Sequence, residues 1–319
     1  MNLVRLGDLT RIKTGKLDAN ASSPNGKYPF FTCSREPLRI ETYSYDCECV
    51  LVAGNGDLNV KYYNGRFDAY QRTYIIESNN TNVLLPRYLF FFLELYIEIL
   101  RKQSVGGVIK YIKLGNLTEA QIPLCSIQEQ TEIIALLEKQ CNLIESRKNQ
   151  LVLFDDLVKS QFIEMFGDVV RNEKGWHCET IDDVAPIEPY KGKIDTRNGK
   201  IWLLNLDMVE AQTGEIISKV EVAEEEIGSS TTTFCEDNVL YSKLRPYLNK
   251  VVVPMEKGYA TSELVPLKPN SKKLHRLYFA TALRSDAFVG FIQEQVAGAK
   301  MPRVSMGVFR NFRMPCPPI

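Results

Sequence analysis

The sequence predicts an α/β (α+β) chain: two tandem domains of one plan, joined by a long coiled-coil-forming helix, with no distal helix to pair with it. Three observations carry this. Residues 124–166 contain no Gly or Pro and keep a heptad of apolar positions. The segments before and after that stretch resemble each other at matching positions. Each segment combines short β-rich runs with one helical stretch.

The first domain is read over residues 1-125. Val50–Ala53 and Val60–Tyr63 are strand-like, and Asn64-Gly65 reads as a hairpin turn. An alternating strand then ends at Tyr74-Ile75-Ile76. PRYLFFFLELYIEILRK, residues 86–102, reads as a helix with Pro86 at its start, where a missing N–H costs nothing.

Residues 126-167 form the predicted spacer helix. Pro123 precedes it, Gly167-Asp168 follows it, and Ser126 with Glu129 forms a capping box. One seam reads Ile127, Ile134, Cys141, Lys148, Asp155, Phe162, the other Gln130, Leu137, Ile144, Leu151, Val158, Met165. Nine of these twelve are apolar, as a coiled-coil seam requires. Ile133, Phe154 and Leu157 widen the stripe. At 1.5 Å per residue the helix is roughly 60 Å long, more than a core helix of one compact domain needs. Ile134, Leu137, Cys141, Ile144, Leu151 and Val158 are therefore the expected interface for a partner helix.

The second domain spans residues 168-319, with strands at Val239–Ser242 and Val251–Val253 and a largely helical stretch Leu274–Phe291. Its match to the first is positional. QSVGGVIKYIKLGNLTEAQIPLCSI (103–127) pairs without a gap with QVAGAKMPRVSMGVFRNFRMPCPPI (295–319): Gln103 with Gln295, Gly106 with Gly298, Gly115 with Gly307, Pro123 with Pro315, Ile127 with Ile319. CVLVAGNGDLNVKYY parallels NVLYSKLRPYLNKVV, which sets Val50 against Val239, Leu51 against Leu240 and Lys61 against Lys250. Leu6, Asp8 and Leu9 match Ile181, Asp183 and Val184. The sequence stops where a second copy of the long helix would begin.

Composition narrows the function. The 319 residues are 45% hydrophobic and 24% charged, which excludes a disordered or collagen-like chain. No apolar run of about 18 residues is present, and the N-terminus has no signal-peptide h-region. Net charge is zero but unevenly spread: residues 1–125 hold 15 basic against 12 acidic side chains, residues 126–167 hold 4 against 7, and residues 238–319 hold 13 against 4. A neutral chain so divided can present basic faces to phosphate. Eight scattered cysteines form no CxxC, and His177 and His275 lie far apart in sequence, so no zinc motif is present; reduced thiols fit a cytoplasmic protein.

Catalytic motifs are missing. GKIDTRNGK lacks the P-loop spacing, Gly54-Asn55-Gly56 lacks the third glycine of a dinucleotide site, and GxSxG, HExxH and an Asn-Pro-Pro-aromatic tetrapeptide are absent. What remains is two sets of basic, amide and aromatic residues on loops. The first is Arg35, Asn55, Asn59, Lys61, Lys110, Tyr111 and Lys113, with Arg66 and Arg72. The second is Lys243, Arg245, Tyr247, Asn249, Lys250, Lys300 and Arg303, with Arg310 and Arg313. Arg and Asn can pair bidentately with guanine and adenine, while Lys mostly holds phosphate. GNGDLN and KLRPYLN occupy equivalent inter-strand loops, as do VIKYIK and KMPRVS.

The strings IPLCSIQEQTEIIALLEKQ, SQFIEMFGDVVRNEKGW, VLYSKLRPYLNKV and KMPRVSMGVFRNFRMPCPP, in the order domain–helix–domain, carry a family resemblance. Over nearly its whole length the chain resembles the specificity subunit of type I restriction–modification systems. The resemblance implies two target-recognition domains, each reading half of a bipartite site on double-stranded DNA through the major groove. It implies a central helix that acts as a ruler and pairs with a distal helix. It further implies a non-catalytic chain without a cofactor of its own, docking two methyltransferase subunits and a restriction subunit. S-adenosylmethionine, ATP and Mg would belong to those partners. The missing distal helix departs from the family pattern and points to a truncation or to a helix from another chain, including self-association through the central helix. Two other classes stand beside this reading: a remnant of a fused restriction or modification enzyme, which would show nuclease or methyltransferase activity alone, and a coiled-coil adaptor that never touches DNA.

Overall fold

The computed structural model describes all residues except Met1, Asp195, Arg197, Asn198, Gly298, Ala299, Lys300 and Ile319. The pairings made above for Gly298 and Ile319, and the candidate Lys300, thus lie outside the described residues. Two compact units emerge, Met1–Gln150 and Leu151–Ile319, and the division falls within the long helix.

In the first unit the order is β1 (Asn2–Arg5), α1 (Leu6–Leu9), β2 (Thr10–Thr14), β3 (Tyr28–Phe31), β4 (Leu38–Ile40), β5 (Tyr45–Ala53), β6 (Val60–Ala69), β7 (Thr73–Ser78), α2 (Pro86–Gln103), α3 (Leu114–Thr118), β8 (Gln121–Leu124) and α4 (Ile127–Phe166). Strands β2-β7-β5-β6-β3-β4 make one sheet, parallel only between β3 and β6. β1 and β8 form a separate antiparallel pair. Helix α2 buries Tyr88, Leu89, Leu93 and Leu100 against Val50, Val52 and Ile76, the alternate residues that one sheet face must present.

The second unit holds β9 (Cys178–Thr180), α5 (Ile181–Val184), β10 (Lys200–Leu204), β11 (Val220–Ala223), β12 (Thr231–Phe234), β13 (Val239–Ser242), β14 (Val251–Val252), β15 (Gly258–Thr261), β16 (Leu264–Leu267), α6 (Arg276–Arg284), α7 (Asp286–Glu294), β17 (Val296–Ala297), β18 (Arg303–Val304), α8 (Met306–Asn311) and β19 (Arg313–Pro315). Its sheets run β14-β13-β16 and β11-β10-β15-β12, with β10 and β15 parallel. This is the first unit's plan with two strands interrupted. β5 corresponds to β12 plus β13, and β6 to β14 plus β15. Its core gathers Val239, Tyr241, Phe279, Phe288 and Phe309, each worth about 1.5–3 kcal/mol on full burial.

The repeat holds at the level of single hydrogen bonds. Leu3 faces Pro123 across β1 and β8, and Cys178 faces Pro315 across β9 and β19. The N–H of Leu6 donates to Ala120 O (2.8 Å), and that of Ile181 to Phe312 O (3.0 Å). The Tyr88 hydroxyl donates to Pro123 O at 2.7 Å, and the Tyr278 hydroxyl to Pro315 O at 3.0 Å.

Two sequence expectations in the sheets change. Asn64-Gly65 is not a turn: both residues stay in the ten-residue strand β6, opposite Glu48 and Cys47. Gly65, at φ 134°, lets a long strand bend instead, and the chain reverses at Tyr70–Thr73, where the Thr73 N–H bonds Tyr70 O. The stretch 274–291 is largely helical as expected, divided into α6 and α7 where the Ser285 hydroxyl caps α7 by accepting from the Phe288 N–H. Finally, Lys61 is not the counterpart of Lys250. The Ala53 N–H bonds Asn59 O and the Ser242 N–H bonds Lys250 O, so Asn59 stands in that place. The second loop is two residues longer and spends them in a 3-10 turn, Pro246–Leu248.

The spacer helix starts as its sequence predicts. The Glu129 carboxylate accepts from the Ser126 N–H (2.9 Å), and the Ser126 hydroxyl accepts from the Glu129 N–H (3.3 Å). Gln130, however, is not a polar gap in the seam. It is fully buried: its Oε1 accepts from the Leu85 N–H, and its Nε2 donates to Val83 O and Cys125 O. Ile133 and Ile134 pack on the same unit's core, so Ile134 is not an open interface residue, and Leu137 is half-buried. From Cys141 to Ser160 every residue is exposed, including Cys141, Ile144, Leu151 and Val158.

Candidate nucleic-acid interface

In each unit two loops far apart in sequence are laced together by the same backbone ladder. In the first, Gly56 N–H donates to Lys110 O (2.9 Å) and Ile112 N–H to Gly54 O (2.9 Å), with Asn55 bridged to Tyr111. In the second, Arg245 N–H donates to Pro302 O (2.8 Å) and Val304 N–H to Lys243 O (2.9 Å), with Leu244 bridged to Arg303. The loops are also closed beneath in the same way, by Gly54 N–H on Arg72 O and Lys243 N–H on Glu263 O. Thus the two inter-strand loops and the two later stretches that the sequence marked do meet, one pair per unit.

The corner residue of each ladder is left-handed. Gly56 has φ 70°, which glycine adopts freely. Its counterpart Arg245 has φ 50°, a conformation that costs an L residue roughly 1–2 kcal/mol. Arg245 is exposed there, beside exposed Tyr247. Behind it, Gln212 donates from its N–H to Leu248 O and from Nε2 to Tyr247 O. Gly214 admits no side chain, since a Cβ would lie 1.9 Å from Val251 O.

The candidate side chains separate into two kinds. Arg35, Lys110, Tyr111, Lys113, Arg245, Tyr247 and Arg303 are exposed, and Arg72 joins them. Arg35 pairs with Asp57 at 3.1 Å and Arg303 with Glu263 at 2.9 Å, the latter bond holding the guanidinium above its usual pKa. The Arg35–Asp57 pair, exposed on both sides, is weak enough for a phosphate to replace the carboxylate.

The others hold the loops. Asn59 donates from Nδ2 to Cys33 O and Asp57 O, both at 2.8 Å, and accepts from the Lys61 ammonium. Burial pushes the Lys61 ammonium below its ordinary pKa. Asn249 is 7% exposed, and its Nδ2 donates to Arg284 O at 2.9 Å. Lys250 donates to Leu206 O at 2.6 Å. These four were expected on the surface; backbone carbonyls that would otherwise lie unpaired draw Asn59, Asn249 and Lys250 inward, and the Asn59 side-chain oxygen holds Lys61. Asn55 and Lys243 are half-buried. Arg66 pairs with Asp46 and stacks on Tyr43, six residues along β6 from the loop. Arg310 and Arg313 donate to the carbonyls of Met306 and Cys178. Among the described residues, no group of three or more His, Cys, Asp or Glu could hold a metal ion.

The exposed part of α4 carries a broad apolar stripe. Leu136, Leu143, Phe154 and Leu157 are all exposed and lie roughly 60–120° around the helix from the line of Ile144, Leu151 and Val158, at 100° per residue, with Phe154 one turn from both Leu151 and Val158. Phe154 and Leu157 thus widen the stripe, and the exposed Leu136 and Leu143 extend the same broadened face.

Residues 1–153 match the sequence model of a family described as the type I restriction modification DNA specificity domain. An Escherichia coli protein, the type I restriction enzyme EcoDI specificity subunit, is 29% identical over 351 aligned positions, which span 99% of this chain and 77% of that protein. By these matches the chain is similar to type I restriction–modification specificity subunits. The fold agrees. A type I restriction–modification system S subunit from M. genitalium superposes with a TM-score of 0.59 at 15% identity, covering 98% of this chain and 84% of that one. A second structure, described by the complex assembly and conformational transition of the type I R-M system, gives 0.53 at 16%, covering 100% and 86%. Mixed α/β units with a long linking helix are thus a fold shared with these two structures. The matched segment 1–153 ends within α4, and the repeated hydrogen bonds extend the same plan to the second unit. No described helix is long and apolar enough to cross a membrane.

Proposed function

We propose that this chain is the DNA-reading component of a type I restriction–modification complex, each unit reading one half of a bipartite duplex site with its laced pair of loops. The observation that carries the reading is the identical ladder in both units, which presents Lys110, Tyr111 and Lys113 in one and Arg245, Tyr247 and Arg303 in the other. Recognition side chains on loops held by a rigid sheet are how a scaffold reads a ligand. Phosphate contacts position such a protein, and contacts to base edges give it sequence preference.

On this reading the chain does no chemistry itself. Methyltransferase and restriction subunits would supply S-adenosylmethionine-dependent methylation of adenine N6 and ATP- and Mg-dependent cleavage. The broad apolar stripe on α4 suits docking of a helix from these partners or from a second copy. Selecting bound duplexes from a random library with the purified chain should return two conserved blocks separated by an unread spacer. Recovery of a single block, or of no preferred sequence, would remove the proposal and favour an adaptor that ignores DNA.

The stripe gives a second expectation. The purified chain should self-associate at micromolar concentration, because exposed apolar surface of this extent marks an interface. Replacing Leu151 and Val158 with Glu should give a monomer in sedimentation with an unchanged far-UV spectrum. A wild-type chain that is already a clean monomer would contradict the use of this face between copies.

A further inference from the structure

Two exposed apolar residues occupy the same position in the two reading edges, and none of the polar candidates accounts for them. Ile109 is 61% exposed and directly precedes Lys110, whose carbonyl receives the Gly56 N–H. Met301 is 52% exposed and directly precedes Pro302, whose carbonyl receives the Arg245 N–H. Ile109 lies in a tight reversal closed by Val105 paired with Tyr111, and Met301 lies between the paired Ala297 and Arg303. In the first unit that reversal requires Gly106, at φ 118°, where a Cβ would lie 2.5 Å from Ile109 O. The tight turn sets Ile109 at the rim beside Lys110, Tyr111 and Lys113 rather than in the core.

A large apolar side chain kept in water at equivalent places of two diverged units wants an apolar partner when the edge is occupied. Resting on the proposal that these edges read DNA, the geometry points to Ile109 and Met301 as specificity-determining residues, each packing on the C5-methyl group of a thymine in its own half-site. The thymine methyl is the apolar feature that the major groove offers, and flanking cations bring the rim down to the bases. The contact buries about one methyl group on each side and adds no charge.

The test starts from a duplex selected by the wild-type chain, so that failure to select any bipartite site falls on the functional proposal alone. Each thymine of the selected half-sites is then replaced singly by deoxyuridine, which removes only the methyl. Binding should weaken about 4-fold at one thymine per half-site, the worth of one buried methyl at ~0.8 kcal/mol. Ile109→Ala should weaken binding by a similar factor on the thymine duplex and abolish the uracil effect in one half-site; Met301→Ala should do so in the other. Neither variant should change the dependence of affinity on salt, whereas Lys110→Ala should reduce it, because only the lysine releases counterions. Thermal melting of both variants checks that the fold is intact. Half-sites without thymine, or uracil and alanine effects that simply add, would overturn the assignment.

Discussion

Gln130→Ala is expected to lower the stability of the first unit by about 3 kcal/mol, although the change lies on a helix that is mostly exposed. The side chain is fully buried and makes three hydrogen bonds, at 2.9 Å from the Leu85 N–H and at 2.8 and 2.9 Å to the carbonyls of Val83 and Cys125. Alanine would leave all three backbone groups without a partner and open a void beside Ile133 and Ile134. One orphaned buried polar group costs about 1–3 kcal/mol, and the void adds to that. For a unit of this size, 3 kcal/mol corresponds to a melting temperature lower by roughly 6–12 °C. Thr131→Ala is the matched control, since the exposed Thr131 hydroxyl only back-bonds to Ile127 O. It should stay within about 0.5 kcal/mol of wild type. A Gln130→Ala loss below 1 kcal/mol would mean that water reaches these groups and that the helix start is not clamped.

Arg245→Ala is expected to weaken specific DNA binding by roughly 5- to 150-fold, with the loss confined to one half-site. A bidentate base contact is worth about 1–3 kcal/mol of discrimination, and Arg245 is the exposed corner of the second ladder. The left-handed backbone sharpens the test. At φ 50°, Arg245 occupies the place that Gly56 fills in the first unit. Arg245→Gly should therefore leave thermal stability unchanged or raise it, while binding falls as it does for alanine. Strain retained at an exposed arginine is a mark of function when its removal helps the fold and harms the activity. Binding assays on duplexes altered in one block at a time would show the half-site. Equal loss at both blocks, or a destabilised glycine variant with normal binding, would contradict this role. Asn249→Ala should behave differently: its side chain anchors the loop to Arg284 O, so stability and binding should fall together.

Much of the architecture is legible without coordinates. The Ser126–Glu129 box, Pro86 at the start of α2, and the glycine after the spacer helix mark element ends by interactions spanning at most a few residues. The repeat is legible because both units keep the apolar strands and the Pro123 and Pro315 positions that their cores and end strands need. The same local reasoning failed at Asn64-Gly65. A dipeptide that favours a turn in isolation was held extended by partners on β5, sixteen to eighteen residues away.

The candidate site divides on the same principle. Sequence alone determined that this chain has two related units, a long amphipathic helix, and basic and amide residues on matching loops. Only the tertiary structure decided which of those residues face solvent. Asn249 turns inward for a carbonyl 35 residues away, Lys250 for one 44 residues away, and Gln130 for groups 45 and 47 residues away, whereas Arg245 and Lys110 remain exposed. The physical reason is that a buried carbonyl or N–H must be paired, and the nearest side chain that can pair it is set by how distant segments pack. Residue type supplies the capacity to bond, and the fold supplies the partner.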